Sequence, residues 1–261
     1  MVRSPHGREA ERPAVHAFPL FLVVALACSG LALTAAVTMG STNGLDRSLV
    51  PVVQQVTGFE PIALFFNGWL HREGLPLIWG CSFVAFLVFR KWPAAGLFAL
   101  AALVGPANHA MKLLVDRPRP TGSFRILEQP SDPSFPSGHT AAAVGFFGAW
   151  FLVASEVLPR RYVLPVRVVC VAGILLAAVS RVWSGAHWPT DVTASILLWS
   201  ALVLGLWLVV NAMAPPAAQL VQRAKAALPA WAARPLSAAE QVKQGARTAG
   251  SRRVRRDDPG Y

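Results

Sequence analysis

Six apolar runs set what this chain can fold into: Ala17–Met39, Leu75–Phe89, Pro93–Leu114, Ser137–Leu158, Tyr162–Val179 and Thr190–Met213. A helix rises about 1.5 Å per residue, so a run of about 20 residues crosses the roughly 30 Å hydrocarbon layer of a bilayer. Within lipid, a helix also satisfies its own backbone hydrogen bonds. The expectation is an all-α, polytopic membrane protein with a bundle of six transmembrane helices. Composition agrees: the chain is 54% hydrophobic and only 14% charged, where a soluble domain carries about 25% charged residues.

The first run is longer than the apolar part of a signal peptide and is read as a retained helix. The second, Leu75–Phe89, is the shortest, and part of the mixed segment 41–74 is expected to extend it. In that segment Ile62–Phe66 and Trp69-Leu70 suit the membrane interface, whereas His71, Arg72 and Glu73 oppose a span. Pro106 predicts a kink in the third run. Residues 116–136, rich in Pro and Arg, are expected to form a loop. Residues 1–16 are expected to be a disordered cytoplasmic N-terminus, 17–213 the membrane domain, and 214–261 a basic cytoplasmic tail.

The formal net charge of +11 does not imply a nucleic-acid partner, because the arginines cluster at the ends of apolar runs and in the tail. Arg3, Arg8 and Arg12, then Arg90 and Lys91, then Arg160 and Arg161, and the tail alternate with the spans so that all fall on one side. That side is expected to be cytoplasmic. The loops 40–74, 116–136 and 181–189 then face outward. Cys28, Cys81 and Cys170 lie in apolar runs, with no metal or disulfide spacing.

The polar residues that interrupt this pattern carry the chemistry. In Ser180-Arg181-Val182-Trp183-Ser184-Gly185-Ala186-His187-Trp188-Pro189-Thr190-Asp191, Pro189 and Thr190 read as a helix start. Asp191, four residues after His187, is placed to hold one imidazole nitrogen and leave the other to act. Arg181 supplies charge for an anionic substrate. The bland alternative is a pair of helix-cap residues beside an interfacial arginine. Lys112, at the end of the third run, would alone be read as a lysine snorkelling to the interface. Two nearby arginines, one of them Arg119, make that reading insufficient. Pro136-Ser137-Gly138-His139 opens the fourth run. Its free N–H groups and a glycine that admits close approach suit an anion. His139 alone would be an ordinary helix-end histidine. Together these residues offer three cations, hydrogen-bond donors, two bases and an orienting carboxylate. That set, with no metal-ligand cluster, suits phosphoryl transfer.

Lys112-x6-Arg119-Pro120, Pro136-Ser137-Gly138-His139 and Ser180-Arg181-x5-His187-x3-Asp191 resemble the three-part motif of the type 2 phosphatidic acid phosphatase (PAP2) superfamily. The resemblance covers about residues 75–213, and no motif position departs from it. It implies a six-helix membrane fold and a site near one membrane face, on the extracytoplasmic side by the charge argument. No metal or other cofactor is implied. It implies that His187 is the nucleophile and forms a phosphohistidine, and that Asp191 supports the imidazole. It makes His139 the acid and then the base. Lys112, Arg119 and Arg181 would clamp the phosphate, with Ser137 and Gly138 completing the cradle. Asp116, Arg117, Arg125 and Glu128 lie outside the motif and read as a solvated loop.

The substrate expected is a lipid phosphate in the bilayer, either a polyprenyl diphosphate or a monoester such as phosphatidic acid. No residue decides between them. Two alternatives have weaker support. A vanadium haloperoxidase shares the phosphate-type cradle but is soluble. A non-catalytic lipid-phosphate binder or transporter would not need the two histidines and Asp191.

Overall fold

A computed structural model describes residues 14–213, apart from 123, 125, 128 and 129. The expectations for residues 1–13, Arg125, Glu128 and the basic tail fall outside the described residues. The described chain consists of helices α1 (Ala14–Thr38), α2 (Asn43–Gln54), α3 (Glu60–Phe65), α4 (Leu75–Val88), α5 (Trp92–Ala101), α6 (Val104–Val115), α7 (Gly138–Val157), α8 (Arg160–Trp183) and α9 (Pro189–Met213). A π-helical segment, Phe66–Gly74, joins α3 to α4.

Among the described residues, five stretches are long and apolar enough to cross a membrane: Phe18–Thr38, Trp92–Val115, Gly138–Val157, Arg160–Trp183 and Pro189–Met213. They coincide with five of the six expected spans. The second differs. Helix α4 has 14 residues, about 21 Å at 1.5 Å per residue, which is short for the hydrocarbon layer. Its backbone nevertheless continues without a break through the π segment into α3. The polar residues Asn67, Arg72 and Glu73 interrupt the apolar pattern there, so hydropathy alone does not reveal one continuous helical stretch.

Pro106 acts as expected, though three residues earlier than its own position. Without an N–H it leaves the Ala102 carbonyl unmatched. Gly105 N–H donates to that carbonyl instead, at 3.2 Å, and the helix breaks into α5 and α6 at Ala102–Leu103.

Helix α7 is central and packs against α5, α6, α8 and α9, while α1 packs along α9. An aromatic cluster fills the contact between α4, α5 and α7. Phe98 stands edge-on to Phe86, Phe146 and Trp150, with ring centroids 5.1, 6.1 and 5.9 Å away. Against α8, α7 approaches so closely that a Cβ on Gly173 would lie 2.7 Å from the Phe147 ring.

The helix directions place the chemistry. Lys112 ends α6, Gly138 begins α7, Arg181 ends α8 and Asp191 begins α9. All four termini therefore lie at one end of the bundle. At the opposite end, Lys91 Nζ donates to the Glu156 carbonyl near the end of α7, at 3.3 Å. Arg160 and Arg161 start α8 at that same opposite end.

Candidate active site

Two tight turns deliver the charged side chains. Helix α6 stops because Asp116 adopts a left-handed conformation, φ 44°, and Pro118 and Pro120 cannot donate to a continuing helix. Arg119 thereby leaves the helix axis that carries Lys112. Helix α8 stops at Ser184, and Gly185 turns the chain with φ 72°, a conformation that suits a residue without Cβ. The N–H groups of Ala186 and His187 then both donate to the Arg181 carbonyl, at 3.1 and 3.2 Å. His187 is thus tied to the same turn that carries Arg181.

Arg181 and His187 are each only 1% exposed. His187 Nε2 lies 3.2 Å from Arg119 Nη1. On the other side of the ring, Nδ1 lies 3.4 Å from Asp191 Oδ2. That separation allows electrostatic orientation but is long for a hydrogen bond. The same Oδ2 accepts from the Trp188 N–H at 2.9 Å, so the carboxylate is fixed by the turn as well. The sequence-predicted residues Arg119, Arg181, His187 and Asp191 are therefore brought together. Burial, and then the positive charges of Arg181, Arg119 and Lys112, hold the His187 imidazole well below the usual histidine pKa. The ring is neutral at physiological pH, with its lone pair available.

The Arg117 expectation needs correction. Arg117 is buried, not a solvated loop residue. Its Nη1 donates to Asp191 Oδ1 at 2.6 Å and to Thr190 Oγ1 at 2.8 Å. Its Nη2 donates to Asp46 Oδ2 at 2.6 Å. Asp46, on α2, is 0% exposed and accepts from the Thr190 N–H and hydroxyl at 2.9 and 2.7 Å. An Asp46–Arg117–Asp191 network thus supports the carboxylate behind His187. Charge-assisted bonds of this kind exceed neutral ones in strength by about twofold.

Asp132 is a further residue the motif does not reveal. Its two oxygens bridge two of the expected phosphate-binding cations. Oδ2 lies 2.8 Å from Lys112 Nζ, and Oδ1 lies 2.8 Å from Arg119 Nη2. Lys112 Nζ also donates to the Pro133 carbonyl, and Arg119 Nε to the Asp132 carbonyl at 2.8 Å. Burial alone would push the Asp132 carboxyl up. Lys112 and then Arg119 outweigh that and bring its pKa down to about 2.

His139 lies at the start of α7, one residue after Gly138. Its Nε2 is 3.2 Å from the Asn67 carbonyl. The Asn67 side chain exchanges hydrogen bonds with Ser180, whose hydroxyl donates to Asn67 Oδ1 at 2.9 Å. Asn67 therefore links the mouths of α7 and α8 from the π segment. Ser137 is fully buried, and its hydroxyl oxygen accepts from Thr140 at 3.1 Å. Gly138 faces Asn108, whose Nδ2 would lie 3.7 Å from a Cβ there. Asn108 precedes Lys112 by one turn of α6, and that spacing is the one sequence signal that could have marked it.

The profile of the PAP2 superfamily matches residues 90–214, a span that contains every motif residue above. Residues 90–214 belong to the PAP2 superfamily. The lipid A 1-phosphatase of Rhizobium johnstonii is 30% identical over 157 residues, covering 57% of this chain and 57% of that protein. Undecaprenyl-diphosphatase BcrC of Bacillus subtilis is 31% identical over 114 residues, covering 42% of this chain and 52% of that protein. The matches thus span a little over half the length of these two relatives. A PAP2-type phosphatidylglycerolphosphate phosphatase from Bacillus subtilis superposes with TM-score 0.61 at 21% identity, covering 74% of this chain and 95% of that one. That likeness is one of fold. The described residues form an all-α, multi-pass membrane protein whose fold is similar to that of this PAP2-type phosphatase.

Proposed function

We propose that this chain is a membrane-embedded phosphatase that hydrolyses lipid phosphate monoesters or diphosphates through a phosphohistidine. The observation that carries the proposal is the setting of His187. Its Nε2 faces Arg119 at 3.2 Å and its Nδ1 faces Asp191 at 3.4 Å, with the charges of Lys112 and Arg181 close enough to shift its pKa. A binding site would need the cations alone. A neutral, buried imidazole with an orienting carboxylate suits a nucleophile.

In the proposed reaction, His187 Nε2 attacks phosphorus and the bond to the leaving oxygen breaks. His139 protonates that oxygen, then takes a proton from the water that cleaves the phosphohistidine. Lys112, Arg119 and Arg181 balance the charge on the phosphate oxygens. Ser137 and Gly138 present the opening turn of α7 to the phosphate. With this cationic set no metal is required for charge balance.

A lipid substrate is supported by a cavity of about 640 Å³ between α4, α5, α6 and α7. Its largely apolar lining includes Leu75, Trp79 and Ala141, and it reaches Asn108 and Gly138. A chain lying there would bring its headgroup to the phosphate site. The two sequence relatives named above are a lipid A 1-phosphatase and an undecaprenyl-diphosphatase. Polyprenyl diphosphate and phosphatidic acid classes are the leading candidates. The site is assigned to the extracytoplasmic face, with both ends of the bundle domain cytoplasmic, because Lys91, Arg160 and Arg161 lie at the opposite end.

The test is phosphate release by the purified protein in detergent from a panel of lipid phosphates and diphosphates. Wild type is expected to release phosphate and to be labelled on histidine by a radiolabelled substrate after rapid quenching. His187→Ala should lose both, by at least about 10³-fold in turnover, as loss of a nucleophile does. Turnover persisting in His187→Ala would overturn the assignment.

A further inference from the structure

Asp132 lies outside the PAP2 motif, yet it contacts two of the three cations assigned to phosphate. One oxygen meets Lys112 Nζ and the other meets Arg119 Nη2, each at 2.8 Å. Two oxygens of a phosphate group would make the same pair of contacts. The carboxylate and a substrate phosphate therefore need the same donors.

The surroundings distinguish this pair from a fixed structural bridge. The Asp132 side chain is 47% exposed, whereas Lys112 and Arg119 are 7% and 6% exposed. It borders a cavity of about 420 Å³, lined by Arg117, Arg119, Pro130 and Pro133 among others. Rotating the carboxylate outward would hydrate it, and a phosphate would take over the two charged contacts it gives up. Its backbone would stay in place, because Arg119 Nε holds the Asp132 carbonyl and the Ser134 N–H donates to the Arg117 carbonyl at 2.8 Å.

We propose that Asp132 is a specificity-determining residue of the phosphate site: its carboxylate competes with phosphate for Lys112 and Arg119 and is exchanged for the substrate headgroup. This rests on the phosphate-site reading given above. The exchange discriminates by anchoring. Free orthophosphate must displace the carboxylate with its own contacts alone. A lipid substrate is held near the site by its chain, which raises the effective concentration of its headgroup. After hydrolysis the returning carboxylate helps to expel orthophosphate.

The test is equilibrium binding of orthophosphate and orthovanadate to the purified protein in detergent, together with product inhibition by orthophosphate. The variants are Asp132→Asn, which removes the charge at nearly constant size, Asp132→Glu, which restores it, and Lys112→Ala. Asp132→Asn is expected to bind both anions about 10-fold tighter, the gain expected when a charge-assisted competitor is removed. Product inhibition should strengthen to match, and Asp132→Glu should stay near wild type. Lys112→Ala should bind more weakly. Unchanged or weaker binding in Asp132→Asn, with Lys112→Ala still impaired, would overturn the exchange and leave the phosphate site standing. If Lys112→Ala binds both anions as well as wild type, the phosphate site itself is refuted and the exchange falls with it. Should Asp132→Asn not fold, Asp132→Ser gives the same contrast.

Discussion

Arg117 and Arg119 stand two residues apart on one loop, and they show two opposite uses of an ion pair. The acids paired with Arg117 are Asp46 and Asp191, both fully buried. The acid paired with Arg119 is Asp132, half in water. The contact distances are similar, so geometry does not separate the two cases. Access to water does. A carboxylate that cannot be rehydrated without opening the protein is part of the frame, whereas one at the surface can be exchanged.

Breaking the buried pair should have the larger effect. Arg117→Ala leaves two buried carboxylates without their common partner, and unpaired buried charges cost about 3–5 kcal/mol. A large drop in the unfolding temperature in detergent is expected, with loss of activity in whatever folds. Asp46→Asn keeps the shape but removes one charge, and the Thr190 N–H retains an acceptor. It should cost about 1–3 kcal/mol, the range for one lost charged hydrogen bond. Activity should fall because Arg117 and Asp191 shift behind His187. An unfolding temperature unchanged in both variants would erase the contrast between the two arginines.

The exposed pair should respond least. Asp132→Asn is expected to change stability by less than about 1 kcal/mol near neutral pH, because solvent screens a half-exposed pair. Acid makes the comparison sharper. The folded carboxyl titrates at about 2 and the unfolded one near 3.9, so its contribution is present above about pH 4 and lost as pH falls towards 2. His187 acts at higher pH. Its folded pKa is depressed below the ordinary value of about 6.5, so the unfolded state takes the proton first and stability falls as pH drops below that value. Unfolding temperature followed from pH 7.5 to 5 should decline in wild type and lose that slope in His187→Gln. An identical slope in both would mean that the imidazole is not held neutral by the fold.

The same contrast explains what the sequence could and could not disclose. Lys112, Arg119, His139, Arg181, His187 and Asp191 are legible because each sits at a fixed spacing beside a helix end. The bundle is legible because apolar runs have the length of a bilayer. Asp46 carries no such mark. It lies on a short amphipathic helix, and its partners Arg117 and Thr190 are far along the chain. Arg117 sits in a Pro-Arg-Pro-Arg-Pro stretch whose polarity suggests solvent, and only tertiary burial reveals otherwise. Asp132 looks like one more loop acid until the two cations are seen beside it. The continuous stretch from α3 to α4 is hidden for a different reason: its polar π segment faces the site, where Asn67 bonds Ser180, so local hydropathy dips within a single helical element.

The close approach of α7 and α8 at Gly173 and Phe147 reaches further than its position suggests. Both residues lie more than two helical turns below the polar rim, about 12 Å at 1.5 Å per residue. From that point the two helices rise side by side, one to His139 and the other to Arg181. A methyl group at 173 would have to displace the aromatic ring or wedge the pair apart. The spacing of the two helix ends that carry His139 and Arg181 is thus gauged deep inside the bundle, by a side chain that consists of one hydrogen atom.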